Sequence, residues 1–299
     1  MALGREAITT AYKTLQDSIC TAISEADGKG EFASEIWERP GGGGGDTRVI
    51  ENGAVIEKGG VNFSAVHGAL PPKIATALKA SSEEFFATGV SIVMHPENPF
   101  VPIIHMNIRY FEMDNGTWWF GGGIDLTPHY INQGEATWFH NQLKETCDQY
   151  DLEYYARFKN WADEYFYVRH RKESRGVSGI FFDRLNEDAE KKSKEALFKF
   201  QLAIGELFAP IYTRLMTDNK NKEYTNLNKA WQMHRRSRYV EFNLVHDKGT
   251  KFGLDTDGRI DSILMSLPPS TGWPYTQSWP ENGPEMKTQK TLETLYLPK

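Results

Sequence analysis

The sequence of 299 residues is poor in cysteine, and this scarcity excludes two kinds of protein. Only Cys20 and Cys147 are present, which is too few to ligate an iron–sulfur cluster or to build a disulfide framework. We therefore expect both thiols to be reduced, as in a cytosolic protein.

Long apolar runs and targeting signals are also lacking. No run of about 18 apolar residues occurs, so we predict no membrane span. The N-terminal region has no apolar signal core, and its acidic residues (Glu6, Asp17, Glu25 and Asp27) are unlike an Arg-rich transit peptide. These absences predict a cytoplasmic location.

The chain has no excess of positive charge. Its formal net charge is -6, whereas a general nucleic-acid binder is usually basic, so we expect no nucleic-acid partner. A local basic pocket for an anionic small molecule is compatible with this average. Aromatic residues reach 13%, with 8 Trp, which favours large flat contacts inside the protein or with a ligand.

Nucleotide-binding and metal-binding spacings are missing as well. The glycine run 41–45 is not followed by Gly-Lys-Ser/Thr, and no G-x-G-x-x-G opens a helix, so this run predicts a flexible loop or lid. The histidines His95, His105, His140 and His170 show no H-E-x-x-H pattern, and their spacing alone does not indicate a metal site.

The hydrophobic patterns predict a mixture of strands and helices. Helical patterns cover 5–25, two parts of 134–171 with a break near 148–152, and 189–216. Strand patterns cover 47–65 with a turn at Asn52-Gly53, 88–94, 103–111, 117–120 up to the glycines 121–123, 180–182, 239–245 and 262–267. Without regular βαβ alternation or a domain boundary, we predict a single α+β domain over 1–299 with a mostly antiparallel sheet.

The strand predicted at 103–111 carries the first candidate site. Side chains alternate along a strand, so His105, Asn107 and Arg109 share one face while apolar residues occupy the other. Arginine binds carboxylates in a bidentate way, and histidine exchanges a proton near neutral pH. This row suits a carboxylate-bearing ligand whose reacting centre lies one or two residues from the anchoring charge.

The preceding strand repeats the polar alternation. Ser91, Val93 and His95 share a face, and Ser91 and His95 would join the same surface if the two strands are neighbours. The alternative is an antiparallel sheet with one solvated face. Polar residues on two adjacent strands favour a site.

Two other stretches offer polar groups to a ligand. Asp125 follows the glycines 121–123 and could accept hydrogen bonds from ligand N–H groups, or cap a tight turn. The basic cluster 235–238 and the turn 257–259 could neutralise ligand carboxylates, or could be solvated surface charges.

These segments together resemble the oxygen-dependent coproporphyrinogen III oxidase family. The matching strings are GGGG at 41–44, GVNFS at 60–64, GVSIVMHP at 89–96, HMNIRYF at 105–111, WWFGGGIDLTP at 118–128, the segment 159–175, GIFFD at 179–183, RYVEFNL at 238–244, DGR at 257–259 and SILMSLPP at 262–269. They are long, specific and in order over nearly the whole chain.

The resemblance implies a homodimer, each subunit with a large antiparallel sheet flanked by α-helices on both faces. It implies oxidative decarboxylation of two propionates of coproporphyrinogen III to vinyls, which gives protoporphyrinogen IX. Molecular oxygen is then the oxidant, and no flavin, NAD or haem is expected.

The resemblance also implies roles for individual residues. Its substrate-binding positions are Ser91, Asn107, Ile108, Arg109, Asp257, Gly258 and Arg259. His105 matches a proton donor and Asp125 an acid that engages pyrrole N–H groups, while His95, His105, His140 and His170 match candidate divalent-metal ligands. Residues 239–274, from Tyr239 to Pro274, correspond to a dimerisation region.

One position departs from the family pattern. Asp257 stands where some relatives have glycine, and its carboxylate would repel a propionate, so Gly258 and Arg259 are the firmer anchors. A non-catalytic tetrapyrrole carrier and a metal-dependent hydrolase are the competing classes of function.

Overall fold

A seven-stranded antiparallel sheet is the centre of the computed structural model, which describes residues 3–70, 75, 82–255 and 258–297. The strands are β1 (Phe32–Glu38), β2 (Gly43–Glu51), β3 (Ile56–Ala69), β4 (Glu84–Pro96), β5 (Ile103–Met113), β6 (Trp118–Thr127) and β9 (Ser178–Leu185). The first six lie side by side in chain order and β9 pairs with β6 at the far edge. The α+β class and the antiparallel sheet are thus confirmed.

Helices surround this sheet, and a short ribbon of β7 (Tyr167–Val168) and β8 (Glu173–Ser174) lies outside it. The helices are α1 (Arg5–Asp27), α2 (Gln133–Asp148), α3 (Tyr154–Tyr165), α4 (Glu187–Glu190), α5 (Lys194–Glu206), α6 (Phe208–Asn219), α7 (Asn226–Glu241), α8 (Lys248–Asp255), α9 (Ile260–Leu264) and α10 (Pro284–Thr294). No helix within the described ranges has the length and apolar character that crossing a bilayer needs.

One face of the sheet is apolar, and helices cover it over β3 to β6. Alternate residues of β4 and β5, such as Ile92 and Met106, are buried there against α1, α5 and α6. Gln201 of α5 is also buried, and its Nε2 donates to the backbone oxygens of Arg109 (2.9 Å) and Gly121 (2.7 Å). A buried amide needs such partners, and here they tie β5 to β6 directly behind the Arg109 side chain.

The opposite face is covered at both ends, and at the end beyond Arg109 the cover is a small buried cluster of Leu70, Phe85 and Met113. At the other end, Tyr239 of α7 packs against Val93 and Ile103, and Met265, just after α9, lies over Gly60. A Cβ atom at Gly60 would collide with the Met265 sulfur, so only glycine allows this close cover. The uncovered part, lined by the half-buried Asn62, Ser91, Asn107 and Arg109, is called the polar trough below.

Two predicted strands are wrong. Residues 239–245 belong to the end of α7 and to a π-helical turn (Phe242–His246), and residues 262–267 lie in α9 and the turn after it. In the first segment Tyr239, Val240 and Phe242 are buried while Leu244 and Val245 are exposed. A short apolar run satisfies a helical stripe as well as a strand, and only packing decides between them.

Other boundaries also differ from prediction, and the helix predicted to reach 171 ends at Tyr165. Gly43, Gly44 and Gly45 begin β2, so the predicted glycine loop is shorter. The glycines 121–123 do not end β6, which continues to Thr127. The long helix predicted at 189–216 is divided into α5 and α6, whereas α1 and the break between α2 and α3 agree with prediction.

Candidate active site

The register of the sheet places most of the predicted polar residues on one surface. Asn107 pairs with Ser91 on β4 and with Gly123 on β6, and His105 pairs with Asp125. Directly paired residues of antiparallel strands share a face. The polar residues of β4 and β5 therefore form one surface, as expected, and this surface also includes residues of β6.

His105, at the end of the trough that Tyr239 covers, is held by a buried carboxylate. Its Nδ1 donates to Asp125 Oδ1 at 2.7 Å, and the side chain of Asp125 is 2% exposed. The other oxygen, Oδ2, accepts a short hydrogen bond from Arg175 Nη2. Burial alone would raise the pKa of Asp125, but the Arg175 charge and the His105 hydrogen bond hold it below its usual value. Asp125 is thus an ionised strand residue, and the tight-turn alternative is wrong.

Arg109 lies further along the trough and is 39% exposed. Its Nη2 donates to Asp183 Oδ1 at 2.9 Å and its Nη1 to Asn107 Oδ1 at 3.1 Å. A Cβ atom at Gly121 would come 3.0 Å from Arg109 Nε and would overlap the nearby Asp183 oxygen. The glycine therefore makes room for the guanidinium, which is still open to a ligand from the trough side.

Arg259 lies on the same face of the sheet as Arg109, but near strands β1 and β2. Its Nη1 donates to Ser262 Oγ at 2.8 Å, and Ser262 contacts Thr47 of β2 at 2.9 Å. Its Nη2 pairs with Glu35 at 2.5 Å. Three strand spacings separate β2 from β5, or about 14 Å, so Arg259 and Arg109 lie on opposite sides of the trough. Gly258 is next to Arg259, whereas Asp257 lies outside the described residues.

Several residues of this site were not singled out from the sequence. Asn62 accepts a hydrogen bond from Thr47 at 2.8 Å and pairs with Ser91 in the sheet, and strand alternation in β3 was the signal for it. Asp183 and Arg175 lie in segments quoted for the family resemblance, but no periodicity indicates their partners. Their roles depend on contacts between distant parts of the chain.

Beyond Arg109 the same face of the sheet becomes aromatic. The rings of Phe111 and Trp119 stack with centroids 4.5 Å apart, and Phe85 stacks on Phe111 at 5.8 Å. Phe111 and Trp119 are half-buried. The trough therefore has a hydrogen-bonding floor with an arginine on each side and a partly buried aromatic surface at the end beyond Arg109.

Two arginines of the basic cluster 235–238 form ion pairs inside the protein. Arg235 pairs with Glu173 at 2.9 Å, each side chain being 2% exposed, and the fully buried Arg236 pairs with Glu57 at 2.6 Å. The sequence predicts that these arginines neutralise ligand carboxylates or are solvated surface charges. Both predictions are wrong for Arg235 and Arg236, because their side chains are buried and already paired. Buried arginine needs a carboxylate partner, and sequence alone does not say where that partner is.

The four histidines proposed as metal ligands make separate protein contacts. His95 Nε2 donates to the Ser266 carbonyl at 2.8 Å, and His140 Nε2 to the Val177 carbonyl at 2.9 Å. His170 Nε2 donates to Glu241 at 2.7 Å. In the described part of the chain, no three His, Cys, Asp or Glu side chains are arranged to hold a metal ion. These residues do not fit a shared metal site.

His95 differs from the other residues of its face. It is fully buried beneath Tyr239, whose ring meets it edge-on at 5.2 Å. Burial and the nearby charge of Arg236 lower its pKa to about 3. The neutral, buried imidazole of His95 therefore packs at the end of the trough that Tyr239 covers. Of the two polar residues predicted on β4, Ser91 and His95, only Ser91 borders the trough.

Comparisons with known proteins agree with one another. Residues 7–296 match the family model described as coproporphyrinogen III oxidase. The chain is 46% identical over 310 residues to coproporphyrinogen-III oxidase 1, chloroplastic, of Arabidopsis thaliana, with 99% of this chain and 78% of the relative covered. It is 46% identical over 293 residues to the oxygen-dependent coproporphyrinogen-III oxidase of Drosophila melanogaster, covering 93% and 74%. The mitochondrial oxygen-dependent enzyme of Rattus norvegicus is 46% identical over 298 residues, covering 95% and 66%.

Proposed function

The chain belongs to the coproporphyrinogen III oxidase family, and from this membership we propose that it converts coproporphyrinogen III to protoporphyrinogen IX. Two propionates are oxidatively decarboxylated to vinyls. For each one, a proton and two electrons leave the β-carbon for molecular oxygen. The carboxylate leaves as carbon dioxide and its C–C bonding pair forms the vinyl double bond, while oxygen takes up one further proton and becomes hydrogen peroxide. The 46% identity over nearly the whole chain to proteins named coproporphyrinogen-III oxidases is the observation that carries the proposal.

Substrate anchoring is assigned to the two arginines across the trough. Arg109 and Arg259 each bind a propionate, because a guanidinium binds a carboxylate with two parallel hydrogen bonds. Ser91 and Asn107 supply hydrogen bonds from the floor, and Gly258 supplies close backbone approach. Strands β2 and β5 are about 14 Å apart, and carboxylate-binding groups near such separated strands suit a flat ligand with carboxylates on its periphery.

Proton handling is assigned to His105. Because Nδ1 is engaged by Asp125, Nε2 is the nitrogen that is left for the substrate. Direct contact between Asp125 and pyrrole N–H groups stays a prediction. Both carboxylate oxygens already accept hydrogen bonds, from His105 and from Arg175, and the Asp125 side chain is 2% exposed, so that contact requires the buried carboxylate to become accessible.

The substrate supplies the electrons and oxygen accepts them, so the proposal includes no flavin, NAD or haem. No step is assigned to a metal, because the four histidines do not fit one site. The protein contributes positioning and charge placement.

The deciding experiment is an assay with coproporphyrinogen III in air and under nitrogen, each with and without chelator. We expect protoporphyrinogen IX only in air, at a rate that chelation leaves unchanged. Tight binding of the porphyrinogen without turnover in air would instead indicate a tetrapyrrole carrier. Activity abolished by chelator and restored by a divalent metal would contradict the metal-free assignment.

The proposed assembly is a homodimer in the cytoplasm, with residues 239–274 at the subunit contact. Exposed apolar side chains in this region, including Leu244, Ile260 and Trp273, support a covered surface. Sedimentation at micromolar concentration tests the dimer, and a monomer would overturn it. Fractionation tests the location, and recovery with a plastid or mitochondrial marker, as the names of some relatives suggest, would overturn it.

A further inference from the structure

Arg175 is a buried cation directly behind the His105–Asp125 pair. Its side chain is 2% exposed. Nη2 donates to Asp125 Oδ2, and Nη1 donates to Asn243 Oδ1 at 3.2 Å. Nε is buried and has no hydrogen-bond partner among the residues that the structure describes. The guanidinium is thus oriented toward one carboxylate, although this leaves one of its own donors unsatisfied.

Three aromatic rings enclose this guanidinium. The ring centroids of Phe166, Tyr239 and Phe242 lie 4.2, 4.8 and 4.6 Å from Arg175 Cζ. They come from the end of α3, from α7 and from the π-helical turn, so three separate elements form one box around the cation. Cation–π contacts of this kind favour the charged planar group at a fixed place.

The box holds Asp125 in one orientation, because Arg175 donates to Oδ2. His105 Nδ1 donates to the other oxygen, Oδ1. This orients the imidazole with Nε2 pointing away from the carboxylate, and the His105 side chain is 26% exposed toward the trough. A hydrogen bond to one ring nitrogen fixes the orientation and tautomer of a histidine.

We propose that Arg175 is a positioning residue for the reaction: it anchors Asp125, which in turn holds His105 Nε2 toward the substrate. This inference rests on the proposed oxidase function. A purely stabilising role is the weaker explanation, because apolar side chains of similar volume often replace a buried ion pair without loss of stability. Arg175 itself does not touch the substrate.

The test is removal of the guanidinium followed by its chemical return. In Arg175→Ala we expect kcat for coproporphyrinogen III to fall about 10–100-fold, as for other residues that orient a reacting group. KM should change little, because Arg109 and Arg259 are intact. Millimolar guanidinium chloride should restore part of kcat by entering the aromatic box, whereas equal tetramethylammonium chloride should not.

Arg235→Ala is the matched control. Arg235 is as buried as Arg175 and also pairs with a carboxylate, Glu173, but it does not contact Asp125 or His105. We expect that variant to lose thermal stability with no guanidinium-dependent gain in kcat. Unchanged kcat in Arg175→Ala, or a loss without guanidinium rescue that matches the Arg235→Ala loss, would overturn the proposal.

Arg175→Lys is the variant to use if the Arg175→Ala protein does not fold. Lysine keeps the charge but offers a single ammonium in place of the planar fork, so we expect an intermediate kcat with KM unchanged. Wild-type kcat in this variant would overturn the positioning role. If the wild-type enzyme itself shows no turnover, the proposed function fails. The positioning claim is then judged by NMR alone, since the downfield His105 Nδ1 proton signal must shift or disappear in Arg175→Lys.

Discussion

Two buried aspartates, Asp27 and Asp125, show how the same side chain serves different purposes in one molecule. They are 3% and 2% exposed. Asp27 accepts hydrogen bonds from backbone N–H groups, namely those of Gly30 at 2.7 Å and of Ala54, Val55 and Ile56 at 2.8 Å. Asp125 accepts from two side chains, His105 and Arg175.

The pKa of each carboxyl is lowered, but by different groups. Burial alone would raise both values. Backbone hydrogen bonds lower the pKa of Asp27, and the Arg175 charge with the His105 hydrogen bond lowers that of Asp125. A carboxylate bound to backbone donors closes loops, here between the end of α1 and the β2–β3 turn. A carboxylate bound to a half-buried histidine side chain holds that side chain for a ligand.

The largest expected effect is on turnover in Asp125→Asn. The amide cannot accept from both His105 and Arg175 as the carboxylate does, so His105 loses its fixed orientation. We expect kcat to fall about 10²–10⁴-fold, the usual contribution of a positioned proton-transfer group. Steady-state kinetics on folded protein, checked by circular dichroism, measures this. A fall of less than tenfold would remove the distinction between the two aspartates.

The second largest effect distinguishes Arg109, which anchors the substrate, from Asp125, which orients His105. Arg109→Ala removes a ligand-facing charge while the His105–Asp125 pair stays in place, so KM should rise by about 100-fold, as a lost charged hydrogen bond predicts. Arg214→Ala on the exposed side of α6 is the control. Near-normal KM for Arg109→Ala would contradict the anchoring role.

Asp27→Asn should affect stability and leave kcat alone. The amide presents an NH₂ group to two backbone donors, which costs about 3 kcal/mol for unsatisfied buried groups. Urea unfolding measures the loss, with Asp218→Asn at the surface as the control. If kcat per folded molecule fell together with stability, Asp27 would have a functional role that its backbone contacts do not indicate.

The smallest effect concerns acid stability. Because the folded-state pKa of Asp27 lies below the unfolded value of about 3.9, its contribution is present above that pH and is lost as pH falls through the folded pKa. The stability of the wild-type protein should therefore decline more steeply below about pH 4 than that of Asp27→Asn. Parallel acid titrations followed by fluorescence would test this, and coincident slopes would contradict it.

Strand alternation predicted correctly which residues of β5 share a face. His105, Asn107 and Arg109 share a face, as alternation requires, and Ser91 joins them through the β4–β5 register. Alternation could not show that His95, on the same predicted face, is covered by Tyr239. The residue that covers His95 belongs to helix α7, more than a hundred residues away in the sequence.

The sequence by itself determined the α+β class, the family and the row from His105 to Arg109, because these depend on local periodicity and on long specific strings. Only the tertiary structure decided that Arg175 holds Asp125, that Asp183 and Gly121 flank Arg109, and that Arg235 and Arg236 are internal ion pairs. It also made residues 239–245 and 262–267 helical rather than extended. These features depend on contacts between distant segments, and the free energy of burying charge and apolar surface against a particular neighbour is not encoded in local spacing.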